Sequence, residues 1–254
     1  MIRVLVLIAI TGFFVGVVAL SSAAAIGGPD LAARNWHWID KWGDSTWRKH
    51  AKHDAEFDFD IDVDGPGGVT VTREIVWNGG GELDIEIVAE VAFTQAEGPG
   101  KVVITGPKSL VDRVVLENGR LDMSGPNFAG RRLKVTVTAP GVTAFDVDGD
   151  STLTIDGFKQ DSLTVDASGD SEVTARGVAR LVRLDVSGSA QADLSGIQAD
   201  EATVDSSGAS ESSVAPKAVG RFNISGSSEV TLNTKPAQIE TDISGGGELH
   251  QPGS

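Results

Sequence analysis

From Thr143 to the C-terminus, short runs of alternating apolar and polar residues are interrupted by glycine at a nearly constant interval. The glycines are Gly149, Gly169, Gly188, Gly208, Gly226 and Gly245, spaced 20, 19, 20, 18 and 19 residues apart. Aligned on them, the flanking positions agree. Four residues before stand Phe145, Val165, Leu184, Val204, Phe222 and Thr241, and two before stand Val147, Ala167, Val186, Ser206, Ile224 and Ile243. Four after come Leu153, Val173, Ala192, Ser212, Val230 and Leu249, and six after come Ile155, Ala175, Leu194, Val214 and Leu232. Period-two alternation on both sides of a glycine describes two strands joined by a corner. Gly157, Gly177, Gly196 and Pro216, eight residues further on, are expected to form a second corner. A unit of this length cannot bury its own apolar face, so successive units must stack. The fold class expected is all-β: a single-chain β-helix, or β-solenoid, of about six regular coils of 18–20 residues over 141–250.

Residues 56–140 alternate as well, but without a fixed period, and read as an irregular β-rich half. Phe57, Phe59, Ile61 and Val63 alternate with Asp58, Asp60, Asp62 and Asp64. Further strands are expected at Val69–Trp77, Leu83–Phe93, Lys101–Thr105, Val114–Glu117, Arg120–Met123 and Arg132–Thr138. Asn118-Gly119 marks a hairpin, Pro107–Asp112 a single helical turn, and Pro140-Gly141 the passage into the regular repeats.

The outward columns bear on function. Three residues before each corner glycine stand Asp146, Asp166, Asp185, Asp205, Asn223 and Asp242, and one before stand Asp148, Ser168, Ser187, Ser207, Ser225 and Ser244. Stacking turns the first set into a ladder of carboxylates on one face. Like charges opposite one another are unfavourable, so solvent, counterions or a cationic partner must screen them. The formal charge is −15, and residues from Asp54 onward carry 33 acidic against 15 basic side chains. That surface repels phosphate backbones and excludes nucleic acid as a partner.

At the N-terminus, Arg3 precedes Val4–Leu20, apolar apart from Thr11, and Ser21–Ala25 supplies the small residues of a cleavage site. Residues 1–25 therefore read as a signal peptide, or as an uncleaved membrane anchor if Val4–Ile26 is retained. Either reading exports the remainder, to the periplasm, to the cell surface or to an outward-facing membrane-bound state. Residues 26–55 form a basic linker carrying Trp36, Trp38, Trp42 and Trp47, a composition that suits a membrane–water interface. The residues after 250 are a short tail.

Candidate chemistry is sparse. There is no Cys, which excludes disulfides and thiolate catalysis. Asp146-Val147-Asp148-Gly149-Asp150 looks like a calcium loop, but Ser151 and Gly157 stand where an EF-hand needs its Gly and Glu. His50, His53 and Asp54 are too few for a convincing metal site. His250 is the only His outside the Trp-rich segment, which argues against a catalytic triad. Gly79–Gly81 and Gly245–Gly247 lack the Lys and Ser/Thr of a phosphate cradle. Carboxylates at glycosidase spacing are expected from abundance alone, with no apolar pocket marking an acid. The expectation is thus no catalytic residue, no cofactor and no fixed metal site.

The segment GPKSLVDRVVLENGRLDM (106–123), the strand KVTVTAPGV (134–142) and the Ser-Gly corners at 168–170, 187–189, 207–209 and 225–227 resemble the head GIN domain of auto-transporter adhesins. The resemblance spans residues 57 to 250 and implies a β-helical, non-catalytic envelope domain. Asp148-Gly149-Asp150 and Pro216 depart from its pattern. Three functions follow as expectations. The first is a surface module contacting glycan, cell-wall material or a basic protein. The second is a membrane-anchored sensor of envelope stress, and the third a carbohydrate-active β-helix enzyme.

Overall fold

The computed structural model describes residues 69–125 and 132–252, all within the unit Phe57–Ser254. The expected strand at 57–64, the leader and the Trp-rich linker lie outside the described residues. Two sheets face each other across a narrow core. Six strand pairs form the regular part. Strands β8 (Ala144–Val147), β10 (Ser162–Ala167), β12 (Leu181–Val186), the C-terminal part of β13 (Gln191–Ser206), β15 (Pro216–Ile224) and β17 (Gln238–Ile243) make one sheet, here sheet B. Strands β9 (Thr152–Lys159), β11 (Glu172–Val178), the N-terminal part of β13, β14 (Glu211–Val214), β16 (Glu229–Leu232) and β18 (Glu248–His250) make sheet A. All these pairings are parallel, so every coil repeats the hydrogen bonds of the one before. The chain is a β-solenoid.

The core columns behave as their alternation demands. Phe145, Val165, Leu184 and Val204 are at most 1% exposed, and Val147, Ala167 and Val186 are fully buried. On sheet A, Leu153, Val173, Ala192, Val230 and the column from Ile155 to Leu232 are buried as well. Each of the six corner glycines has a φ between +73° and +84°, a left-handed conformation that a side chain disfavours. The corners also stack closely. A Cβ on Gly208 would lie 2.6 Å from the carbonyl oxygen of Gly188, whereas one on Gly149, the first in the series, meets nothing within 4 Å.

The expected second corner is not a corner. Gly157, Gly177 and Gly196 lie inside β9, β11 and β13, and the register of β11 slips by one residue at this position. The chain leaves sheet A later, between Lys159 and Ser162 and between Val178 and Leu181. Glycine is needed there for close approach: a Cβ on Gly177 would sit 2.1 Å from the Phe158 carbonyl oxygen. Pro216 opens β15.

The N-terminal half continues the solenoid, in a different order. Leu83–Phe93 is two strands, not one: β2 (Glu82–Ile85) on sheet B and β3 (Ala89–Gln95) on sheet A. A glycine-free corner with Ile87 buried joins them, so apolar alternation alone could not reveal the break. β2 and β3 pair in parallel with β8 and β9 on one side, and with β6 (Arg120–Met123) and β7 (Leu133–Ala139) on the other. The coil at 82–95 therefore sits between the later coil at 120–139 and the still later one at 144–159. Phe93, Phe145 and Phe158 fill this junction, with ring centroids 4.9 and 6.4 Å apart in edge-to-face contacts.

Antiparallel strands close the N-terminal end. β4 (Lys101–Pro107) runs along β7, β1 (Thr70–Val76) along β4, and β5 (Val114–Glu117) forms a hairpin with β6 through Asn118 and Gly119, both at positive φ. The single turn α1 (Lys108–Val111) buries Leu110 and Val111. Arg73 of β1 donates to the carbonyls of Val111 and Val114 at 3.3 and 3.0 Å, tying the sheet A edge to that turn. Among the described residues the opposite end has no such cover. Ile239 and Ile243 of β17, which occupy core columns, are 36% and 44% exposed, and Thr241 is exposed too.

Candidate functional site

The carboxylate ladder is assembled by the parallel register of sheet B. Asp146 pairs with Asp166, Asp166 with Asp185, Asp185 with Asp205, Asp205 with Asn223 and Asn223 with Asp242. Asp146, Asp166, Asp185 and Asp205 alternate with buried neighbours and so point outward, and Asp242 continues their column on the last coil, where its neighbours Thr241 and Ile243 are themselves exposed. Asp166 and Asp242 are exposed, while Asp146, Asp185 and Asp205 are half-buried between adjacent columns. The ladder is longer than the repeat implied. Asp84 of β2 stands beside Asp146, and Arg120 of β6 stands beside Asp84. The Arg120 guanidinium pairs with Asp84 at 3.1 Å and also with Glu86, neutralising the N-terminal end of the row. The missed signal was Leu83-Asp84-Ile85, which has the pattern of Phe145-Asp146-Val147.

Compensation is uneven along the row. Asp205 accepts a hydrogen bond from Asn223 Nδ2 at 3.2 Å and has Arg183 3.9 Å away. At the other end, partial burial pushes the Asp146 carboxyl up to about 6, with the charges of Asp148, Asp166, Asp84 and Glu82 adding to it. Asp166 is raised by burial and by Asp185 and Asp148. Asp84 is raised by burial, and the nearby Arg120 only partly offsets this. The Ser168 hydroxyl donates to Asp148, which ties the corner column to the acidic one.

Sheet A carries a second acidic column that the sequence reading missed. Three residues after each corner glycine, Thr152, Glu172, Gln191, Glu211, Glu229 and Glu248 stand in register, preceded by Glu90. Thr and Gln interrupt it, which hid it from a search for one residue type. His250 pairs with Glu229 and Glu248 at 3.2 and 3.3 Å.

Among the described residues no deep cleft accompanies either column. Shallow grooves run over Glu172–Thr231 on sheet A and over Thr203–Asp242 and Ser162–Thr203 on sheet B, with volumes of about 150, 270 and 260 Å³. Small-molecule sites run to roughly 300–1,000 Å³ and enclose their ligand. Among the described residues, no three His, Asp or Glu converge as a metal-ligand set. No helix among them is long and apolar enough to cross a membrane. The geometry offers two flat polar faces and suits contact along a line.

Residues 81–254 match the family described as "Putative auto-transporter adhesin, head GIN domain". The chain belongs to this family. Solved structures share the fold of this GIN domain. A putative adhesin from Bacteroides fragilis NCTC 9343 is 18% identical with a TM-score of 0.59, covering 72% of this chain and 96% of that one. A putative adhesin from Parabacteroides merdae ATCC 43184 is 15% identical with a TM-score of 0.50, covering 74% and 98%. No curated protein matches in sequence.

Proposed function

We propose that this GIN-domain protein is a non-catalytic, exported surface module that holds a cationic or hydroxyl-rich partner along the acidic face of sheet B. The observation that carries this reading is the unbroken register of Asp84, Asp146, Asp166, Asp185 and Asp205, whose two ends meet basic or amide partners among the described residues. Adjacent strands lie about 4.8 Å apart. At that spacing two unit charges repel by about 1 kcal/mol in water and less in salt. A fold tolerates that cost, and a linear array of basic groups or sugar hydroxyls would relieve it. Family membership and the shallow faces support adhesion over catalysis. A basic protein, a glycan or cell-wall material each presents such an array.

The test is titration calorimetry of the parent and of the triple variant Asp166→Asn/Asp185→Asn/Asp205→Asn with polylysine and with calcium. The reading expects salt-sensitive polylysine binding by the parent, weakened about tenfold in the variant as three charges are lost. Calcium should show no stoichiometric site in either. Equal polylysine affinity in the two proteins refutes the docking face. Tight calcium binding lost in the variant would make the ladder a metal site instead.

A further inference from the structure

The two ends of the solenoid differ, and the difference bears on assembly. β1, β4, β5 and α1 cover the first coil, and Arg73 fastens that cover. Among the described residues the last coil has neither cover nor cap. Among the described strands, β17 and β18 each pair on one side only, with β15 and β16. The core positions Ile239, Thr241 and Ile243 stand open, and Leu249 is only partly buried. An edge of this kind is a template for strand addition. A head-to-tail stack is unavailable, because the capped end does not present a matching parallel coil.

We infer that two copies of the chain join through their last coils, about a twofold axis passing Thr241 on sheet B and Leu249 on sheet A. Both residues lie four positions from the corner Gly245, on opposite sides of the core, so one axis serves both sheets. A twofold axis running from sheet to sheet reverses strand direction, which makes both junctions antiparallel. On sheet A it sets Leu249 against the partner's Leu249 and Glu248 against the partner's His250, and the reverse. Glu248-Leu249-His250 is therefore complementary to itself, with an apolar centre and opposite polar groups. On sheet B it sets Ile239 against the partner's Ile243, burying the apolar residues that the last coil leaves exposed. One pairing opposes the union: Glu240 falls beside the partner's Asp242. Arg221, 3.3 Å from Glu240, tempers that repulsion without removing it. The result is a closed dimer of moderate affinity, with the two capped ends facing away from each other and both acidic faces free. This assembly is independent of the ligand assigned to the sheet B ladder.

Two measurements on the full chain test it. The chain contains no Cys, so single cysteines report position cleanly. Residues opposite each other in an antiparallel pair have Cα atoms about 4.5–5.5 Å apart, within disulfide range. Under mild oxidation Thr241→Cys should give a covalent dimer in high yield. Ser227→Cys, exposed at the corner of the preceding coil, should form no covalent dimer. In sedimentation equilibrium, Asp242→Lys places a cation beside Glu240 twice per dimer and should tighten association about tenfold. Ile243→Lys should abolish it, with an unchanged circular dichroism spectrum. A parent chain that stays monomeric to millimolar concentration overturns the inference. So do equal cross-linking of the two cysteine variants, no tightening by Asp242→Lys, or assemblies larger than dimers.

Discussion

Replacing Asp146 with Asn removes the carboxyl that the acidic row drives up to about 6. The causes are burial first, then the charges of Asp148, Asp166, Asp84 and Glu82. In the unfolded chain the same group titrates near its ordinary 3.8. Below about pH 4 both states hold the proton, and the group is neutral to stability. Between there and about 6 the unfolded chain has released its proton while the folded chain keeps it, so stability falls as pH rises. Above that range the deficit is constant. A displacement of this size corresponds to roughly 3 kcal/mol for a fully enclosed group. Asp146 is only half-buried, and solvent screening reduces the figure to about 1 kcal/mol. In a domain of this size, 1 kcal/mol moves Tm by about 2–4 °C. Asp146→Asn should therefore melt about 2–4 °C above the parent at pH 7 and together with it at pH 4. Thermal denaturation followed by circular dichroism across that range reads the difference directly. A constant offset at every pH would refute the reasoning, because it would show a packing effect. A lower Tm for the variant at pH 7 would show the carboxylate stabilised in the fold.

Three further outcomes follow from the stacking. Leu184 is fully buried between Val165 and Val204, so Leu184→Asp should cost about 5 kcal/mol or more and abolish folding, whereas Arg183→Asp, one residue earlier and exposed, should stay within about 1 kcal/mol by urea denaturation. Gly208→Ala forces a left-handed alanine into the Gly188 carbonyl and should cost about 2–4 kcal/mol, while Gly149→Ala, with the same strain and open space, should cost about 1 kcal/mol. The Ser212 hydroxyl is buried without a hydrogen-bond partner, so Ser212→Ala should raise stability by about 1 kcal/mol, measured as a shift in the urea midpoint.

The regular coils were legible because they follow one another in the chain at constant length. Every column, from Phe145 to Phe222 and from Leu153 to Leu232, could be found by counting from a glycine. The strands of the N-terminal half were mostly legible as strands, and β5, β6 and the Asn118-Gly119 turn lie where expected. Their place in the same solenoid was not. The coil at 82–95 is stacked between two coils that come later in the chain, which destroys any fixed period. Asp84 dropped out of the ladder for the same reason. The Gly157 column misled because Gly177 and Gly196 serve close backbone approach and not a change of direction, a distinction set by the neighbouring coil. The exposure of Ile239 and Ile243 follows from being last in the stack, and no local pattern encodes that.

The interleaved order of the first coils also governs the sequence of events as the chain is made. Regular coils meet partners about 20 residues away, as Ser168 meets Asp148. β3 must wait for a strand far downstream: the Ala89 amide reaches the Ser151 hydroxyl across 62 residues. Closing the longer loop costs about 1 kcal/mol more in chain entropy. Synthesis proceeds from the N-terminus, so β2 and β3 are made early yet lack one neighbour until β8 and β9 follow. The first regular coil is thus the template that completes the N-terminal cap, and each later coil can then add in turn. A nascent chain cut before Lys159 would leave the Phe93 side of the core open to water, whereas one cut after a later corner would leave open only the coil at which it was cut.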